Sequence, residues 1–243
     1  EPSKKMVEFI IKGIFPYEKV EMQNDVYMAL IGMTLGKPGI MIVSGTGAMA
    51  VGIDREKKMH LMGGWGSLVQ DEGSAYYIAT EGIKAGIKSY EKIGKYTLLE
   101  KELLNFFQVG EHRQLIDKFY SKHMTTSQIA GFAKAVIDCA YNGDDVANSI
   151  VQGAVDILAQ YACKLMENLN LTDCTVGIYG GVFTNNPPIV DSFTRRVNSI
   201  YEYAKIDFPR FPSEVGAVLY AMLKRGYKIT EDLLINIQNT MGV

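Results

Sequence analysis

Apolar residues recur at helical spacing at Met6, Phe9, Ile10 and Ile14, which predicts a first helix over Lys4 to Ile14, broken at Phe15-Pro16. The short run Lys19 to Met22 reads as a strand. Asn24-Asp25 then stands at a strand-to-helix junction, before a largely apolar helical segment from Val26 to Leu35. After the turn cluster Gly36-Lys37-Pro38-Gly39, the continuous apolar run Ile40 to Val43 predicts a buried strand, leading into Ser44-Gly45-Thr46-Gly47. Met49 to Ile53 and Met59 to Met62 predict two more strands. They are joined by a polar hairpin turn at Asp54 to Lys58 and followed by Gly63-Gly64-Trp65-Gly66.

From Asp71-Glu72-Gly73-Ser74 onward the period lengthens, with helices predicted over Ala75 to Tyr90, near Thr97 to Phe107 and near Arg113 to Phe119. The strongest helical pattern follows Asn142-Gly143-Asp144-Asp145. It places Val146, Ile150, Val151, Ala154, Ile157, Leu158, Tyr161, Leu165 and Leu169 on one broad face. Thr175 to Tyr179 is a further buried strand, running into Gly180-Gly181, with a helix expected beyond Pro187-Pro188. A last strand over Tyr203 to Asp207 and helices over Val215 to Lys224 and Glu231 to Asn239 complete an α/β chain.

Two of these junctions, Ser44-Gly45-Thr46-Gly47 and Gly180-Gly181, are buried strands ending in glycine turns, where backbone N–H groups can approach a phosphate closely. Plain turn chemistry produces the same pattern. Asp25 and Asp71 each precede a helix, and as a pair they would supply a base and a hydroxyl acceptor to a reacting alcohol; a helix N-cap is the more common role of an isolated Asp in that position.

With 25 Lys+Arg against 27 Asp+Glu among 243 residues, the chain carries no basic field suited to a nucleic-acid backbone or an anionic membrane. Cys139, Cys163 and Cys174 are odd in number, lack CxxC spacing and stand apart from His60, His112 and His123, so free thiols in the cytoplasm are expected rather than disulfides or a metal cluster. No signal peptide is expected, because Glu1 to Lys5 leads into an amphipathic segment and not a long apolar h-region, and no membrane span, because eighteen apolar residues never run together.

The order Asn24-Asp25, Ser44-Gly45-Thr46-Gly47, Gly63-Gly64-Trp65-Gly66, Asp71-Glu72-Gly73-Ser74, then Gly180-Gly181 and Pro212 to Ala217, closely resembles the N-acetylglucosamine kinases and their relatives in the BadF/BadG/BcrA/BcrD ATPase family. The resemblance runs from about Val20 to Leu223 and is densest over Ile40 to Ser74. It implies an actin-like ATPase fold of the ribonuclease H-like type, with two domains around a central cleft. Residues 1–38 would be the remnant of a truncated first domain, and residues 39–243 the second, with a helical insertion.

The implied activity is ATP-dependent phosphorylation of an amino sugar, most simply N-acetylglucosamine to its 6-phosphate. Asp25 matches the base that contacts the sugar and accepts the proton of its attacking hydroxyl. Ala48, Met49, Gly64, Trp65, Gly66 and Asp71 match the sugar pocket. Thr46 and Gly47 match positions against the ATP phosphates, Gly180 and Gly181 lie against the adenosine, and Ala130, with Gly131 and Phe132, supplies another wall of the nucleotide site. Mg²⁺ is implied with the nucleotide, held by phosphate oxygens and water and not by a protein cage. A homodimer is implied by the resemblance alone. For Trp65, the sole tryptophan, packing in the core competes with a role against a sugar face.

Two departures qualify the implied activity. Family members carry an N-terminal Asp-Gly-Gly-Gly-Thr loop for the β- and γ-phosphates that has no counterpart here, so little kinase activity is expected of this chain alone. Ala48-Met49 also stands where relatives often place a serine followed by a polar or aliphatic residue. Glucosamine and N-acetylmuramic acid are therefore rival substrates. Different in class are an ATPase activator of a dehydratase, which would need cysteines beside the glycine turns, and a non-catalytic sugar sensor.

Overall fold

The computed structural model describes residues 2–15, 21–69, 71–120 and 124–241. Among these, a mixed five-stranded sheet is sandwiched by helices. Helix α1 (Pro2–Ile14) precedes α2 (Asp25–Thr34), and then come β1 (Gly39–Ser44), β2 (Ala48–Ile53) and β3 (Met59–Gly63). A helical stretch follows, comprising α3 (Ala75–Tyr90), α4 (Leu99–Phe107), α5 (Leu115–Phe119), α6 (Thr126–Ala130), α7 (Ala133–Tyr141) and α8 (Asp145–Asn168). The chain then returns to the sheet through β4 (Thr175–Tyr179), α9 (Gly181–Thr184), α10 (Pro187–Asn198) and β5 (Lys205–Asp207), and ends in α11 (Ser213–Lys224) and α12 (Glu231–Met241).

The strand order is β3-β2-β1-β4-β5. β1, β2 and β3 form an antiparallel meander, with Ser44 opposite Ala48 and Ile53 opposite Met59. β4 pairs parallel to β1, Ile40 with Val176 through Val43 with Tyr179, and β5 runs parallel to β4. The unbroken apolar run of β1 suits its central place, because helices cover both faces of the sheet there. One face packs against α8, whose Leu158, Leu165 and Val151 are fully or almost fully buried; such burial is worth about 1.5–3 kcal/mol for each side chain. The other face carries α2, α11 and α12 around Leu30, Met41, Phe211, Leu219 and Leu234.

Three expectations change. The predicted strand over Lys19 to Met22 lies partly outside the described residues, and Glu21 and Met22 are not in a strand. Arg113 to Phe119 divides into a 3₁₀ turn, His112–Gln114, and the short α5. On α8 the buried stripe runs through Ala147, Val151, Ala154, Val155, Leu158, Ala159, Ala162, Leu165 and Met166, leaving Val146, Ile150 and Ile157 at its margin. Small alanines let α8 approach its neighbours closely, so they, and not every large side chain, take the centre of the contact.

The start of α8 also ties the helical stretch together. Asp144, 8% exposed, accepts hydrogen bonds from the Thr97 hydroxyl at 2.6 Å and from the backbone N–H groups of Leu98 at 2.6 Å and of Val146 and Ala147 at 3.0 Å each. Burial pushes its carboxyl upward, but the Thr97 hydroxyl and the three N–H groups outweigh this and hold it below the usual range. Asp144→Ala is expected to cost about 3 kcal/mol at pH 7, combining a lost cap with stranded donors, as read from urea unfolding. Because the folded-state value is lowered, this stabilisation is complete above the unfolded value of about 4 and fades as pH falls through the folded one. The gap between wild type and variant should therefore close in acid; a gap unchanged down to pH 2 would contradict the assignment.

Among the described residues no helix is long and apolar enough to cross a membrane.

Candidate functional site

β1 and β4 are adjacent and parallel, so their carboxyl ends deliver two turns to the same edge of the sheet, the place where open α/β sheets bind ligands. The first is Gly45-Thr46-Gly47, closed by Gly45 N–H donating to the Gly47 carbonyl at 2.9 Å. It is anchored from beneath by the buried Ser44 hydroxyl, which donates to the Gly73 carbonyl at 2.7 Å, and by the Ala75 N–H, which donates to the Gly45 carbonyl at 2.8 Å. With these carbonyls engaged, the N–H groups of Thr46 and Gly47 donate to no protein acceptor among the described residues.

The second turn is Gly180-Gly181. Gly180 has φ of 103°, and a Cβ there would stand 2.4 Å from the Ser44 carbonyl oxygen and 3.0 Å from Gly45 N. A side chain at this position would be strained in backbone and would force the two turns apart, so glycine is what allows them to touch.

Beside them opens a cavity of about 800 Å³ lined by Gly45, Thr46, Ala130, Gly131 and Gly181, together with Lys134, Asp138, Tyr141, Asn185 and Asn186. Three segments far apart in sequence and expected to form one nucleotide site are thus brought together: Thr46, Ala130 and Gly181 line the cavity directly. Gly47 and Gly180 complete the turns behind it. The residues from α7 and from the turn into α10 were not anticipated. Their signal was the spacing of Lys134, Ile137, Asp138 and Tyr141 along one helix face, in a stretch where no helix was expected and where the structure forms α6 and α7. The Thr125 capping box, with Gln128 bonded back to it, marks where α6 begins.

Asp71 lies on the other side of the first turn. A Cβ on Gly47 would sit 3.2 Å from both Asp71 carboxylate oxygens, and Asp71 Oδ1 accepts from Ala48 N–H at 3.4 Å. Burial pushes its carboxyl above the usual range, opposed by the Ala48 N–H. Desolvated and with one weak donor, this carboxylate is suited to accept a hydroxyl hydrogen bond. It does not cap α3; Ser74 does, accepting from Tyr77 N–H at 3.0 Å. Gly64 N–H donates to the Ala48 carbonyl at 3.1 Å, and the Cα of Gly64 faces the Met49 side chain. Ala48, Met49, Gly64 and Asp71 therefore form one group around the base of the turn. Trp65 and Gly66 continue into an exposed loop. With Trp65 73% exposed, core packing is excluded for that residue.

Asp25 opens α2. Its N-cap is Asn24, whose Oδ1 accepts from Val26 N–H at 2.8 Å, so Asp25 is the first helical residue and not the cap. The carboxylate is exposed and accepts from Val26 N–H at 2.9 Å. α2 ends where β1 begins, Thr34 touching Gly39, and packs back along β1 and β2, which carries its first turn toward the Ser44 end of the sheet. Val26 and Tyr27 accordingly share a core cluster with Val43 and Met49. Asp25 is exposed at the start of α2, and among the described residues no hydrogen bond joins it to Asp71 or Thr46.

Cys139 and Cys174 are buried, and burial pushes both thiols up to about 11; Cys163 is half-buried and its thiol is raised by the same cause. Among the described residues no group of three or more His, Cys, Asp or Glu side chains is placed to hold a metal ion.

The chain is 32% identical over 220 residues to the N-acetylmuramic acid/N-acetylglucosamine kinase of Clostridium acetobutylicum, an alignment covering 90% of this chain and 72% of that protein. It is 27% identical to the N-acetyl-D-glucosamine kinase of Dictyostelium discoideum, over 83% of this chain and 65% of that one. In three dimensions it matches a Chromobacterium violaceum protein provisionally assigned as an N-acetylglucosamine kinase, with a TM-score of 0.66 at 21% identity, covering 81% of this chain and 64% of the other. It also matches the glucose-bound hexokinase of Schistosoma mansoni, with a TM-score of 0.51 at 14% identity, covering 82% and 56%. The chain thus spans between about half and three quarters of the length of these proteins. The fold is the actin-like ATPase fold of sugar kinases. The sequence signature of the BadF/BadG/BcrA/BcrD ATPase family matches residues 3–221, and the chain belongs to that family.

Proposed function

We propose that this protein takes part in transfer of the γ-phosphoryl group of ATP to a hydroxyl of an amino sugar, with N-acetylglucosamine, giving its 6-phosphate, as the first substrate to test. The observation that carries this reading is the meeting of Gly45-Thr46, Ala130-Gly131 and Gly181 around one cavity, directly beside the group of Ala48, Met49, Gly64 and Asp71. The names of relatives support the sugar class: the Clostridium protein is a kinase of N-acetylmuramic acid and N-acetylglucosamine, and a 26% identical Vibrio cholerae protein is a glucosamine kinase.

In this reading the turn N–H groups of Thr46 and Gly47 face phosphate oxygens, and Gly180 and Gly181 lie along the adenosine. ATP supplies the reactive phosphoryl group, and accompanying Mg²⁺ would be held by phosphate oxygens and water. Asp71 accepts a sugar hydroxyl, offsetting its own desolvation. Trp65 offers a flat surface to the sugar when the Gly64-Trp65-Gly66 loop closes on it. Asp25 takes the proton as the sugar oxygen attacks phosphorus in line and the bond to the β-phosphate oxygen breaks, releasing ADP. Such a step asks the protein mainly for positioning and charge stabilisation.

The division near residue 38 into a first-domain remnant and a second domain, a cytoplasmic location and a homodimer belong to the same proposal. Among the described residues no cysteine lines the cavity at the glycine turns, which gives no support to a cluster-bridging ATPase activator. The test is Mg²⁺-ATP-dependent ADP release with and without N-acetylglucosamine, glucosamine and N-acetylmuramic acid. Release that requires one sugar names the substrate. Nucleotide binding without sugar-dependent release would turn the assignment toward a sensor.

A further inference from the structure

The cavity between the glycine turns is lined by many small or aliphatic residues, and among the described residues a single aromatic ring, Tyr141, faces it. Tyr141 is 48% exposed, so its ring is not absorbed into the core. Its hydroxyl is nevertheless held. The Asn186 Nδ2 donates to the carbonyls of Val182 at 3.0 Å and Gly181 at 3.4 Å, which fixes the amide so that Oδ1 accepts from the Tyr141 hydroxyl at 3.4 Å. Turning the amide over would set its oxygen against two carbonyls, so the orientation is determined by its partners. The contact sequence Tyr141, Asn186, Gly181 therefore forms one edge of the cavity, ending on the very turn that stands against Ser44 and Gly45. On the same face of α7, Lys134 pairs with Asp138 at 2.7 Å, which offsets the carboxylate's repulsion of an anionic ligand.

A half-exposed ring, fixed at its polar tip and open on one side to a cavity with a glycine wall, has the chemistry of a stacking surface for a planar heterocycle. We propose that Tyr141, seated by Asn186, is the platform on which the base of the bound nucleotide stacks. The proposal rests on the reading of this cavity as the nucleotide site, and it assigns the base end to α7 and the α9–α10 turn.

The test is calorimetric titration of the purified protein with ADP and, separately, with inorganic pyrophosphate. Tyr141→Ala is expected to weaken ADP binding about tenfold while leaving pyrophosphate binding unchanged, since base–aromatic stacking is of that order. Tyr141→Phe, which keeps the ring and loses only the Asn186 tether, is expected to weaken ADP less than about threefold. Equal ADP affinity in Tyr141→Ala and wild type would overturn the platform, and so would a parallel loss of ADP and pyrophosphate, which would mark structural damage instead. If wild type binds neither probe, the nucleotide reading itself falls and the platform with it.

Discussion

Asparagine in place of Asp25 is expected to leave the protein folded and to lower sugar-dependent ADP release by about 10²–10⁴-fold, the range lost when a positioned general base is removed. The substitution keeps the size of the side chain and an oxygen able to accept from the Val26 N–H, so α2 should start where it does now. Because the proton is taken only as the new bond to phosphorus forms, the loss should appear in kcat, with KM for sugar and ATP changed far less. A variant that keeps more than about a tenth of wild-type turnover would remove Asp25 from the role of base.

Alanine in place of Gly216 should act on stability instead. In an exposed helix that change would stabilise by up to about 1 kcal/mol. Here α11 crosses α2 so closely that the added Cβ would stand 1.8 Å from the Met28 carbonyl oxygen, whereas real Cβ contacts essentially never fall below 3.0 Å. The obstacle is backbone, so no side-chain rotation relieves it and the helices must part by more than 1 Å. A loss of about 3 kcal/mol is expected, with a fall in Tm of about 6–12 °C for a chain of this size. Thermal and urea unfolding would show it. An unchanged midpoint would mean that the two helices are not pressed together as described. Since α2 carries Asp25, the surviving folded fraction should also turn over more slowly.

The elements that hold the site were legible where pattern and chemistry coincide. The β1 run Ile40 to Val43 announced a central strand because all of its residues are apolar, and Gly180 announced a turn because few residues other than glycine tolerate its φ of 103°. What one dimension withheld was pairing. Nothing in the local sequence says that β4 lies beside β1 and not at an edge, and only that pairing sets Gly180 against Ser44. The Tyr141 edge was hidden for a similar reason: Tyr141 and Asn186 are meaningful only as a contact between segments 45 residues apart in sequence. Asp25 and Asp71 were open to a second reading as caps. The actual caps are Asn24, one residue before Asp25, and Ser74, three residues after Asp71, and that small displacement leaves neither Asp25 nor Asp71 as the cap of its helix.

The order of pairing in the sheet bears on how the protein is made. The β1–β2–β3 meander closes through turns of a few residues and can form early, whereas joining Ile40 to Val176 closes a loop that contains the entire helical stretch. The Gly45-Thr46-Gly47 turn is therefore available well before its partner arrives with β4. A nascent or refolding chain would hold only half of the proposed nucleotide site until β4 pairs with β1, so ADP binding should recover with the slowest refolding phase and not with the first appearance of sheet.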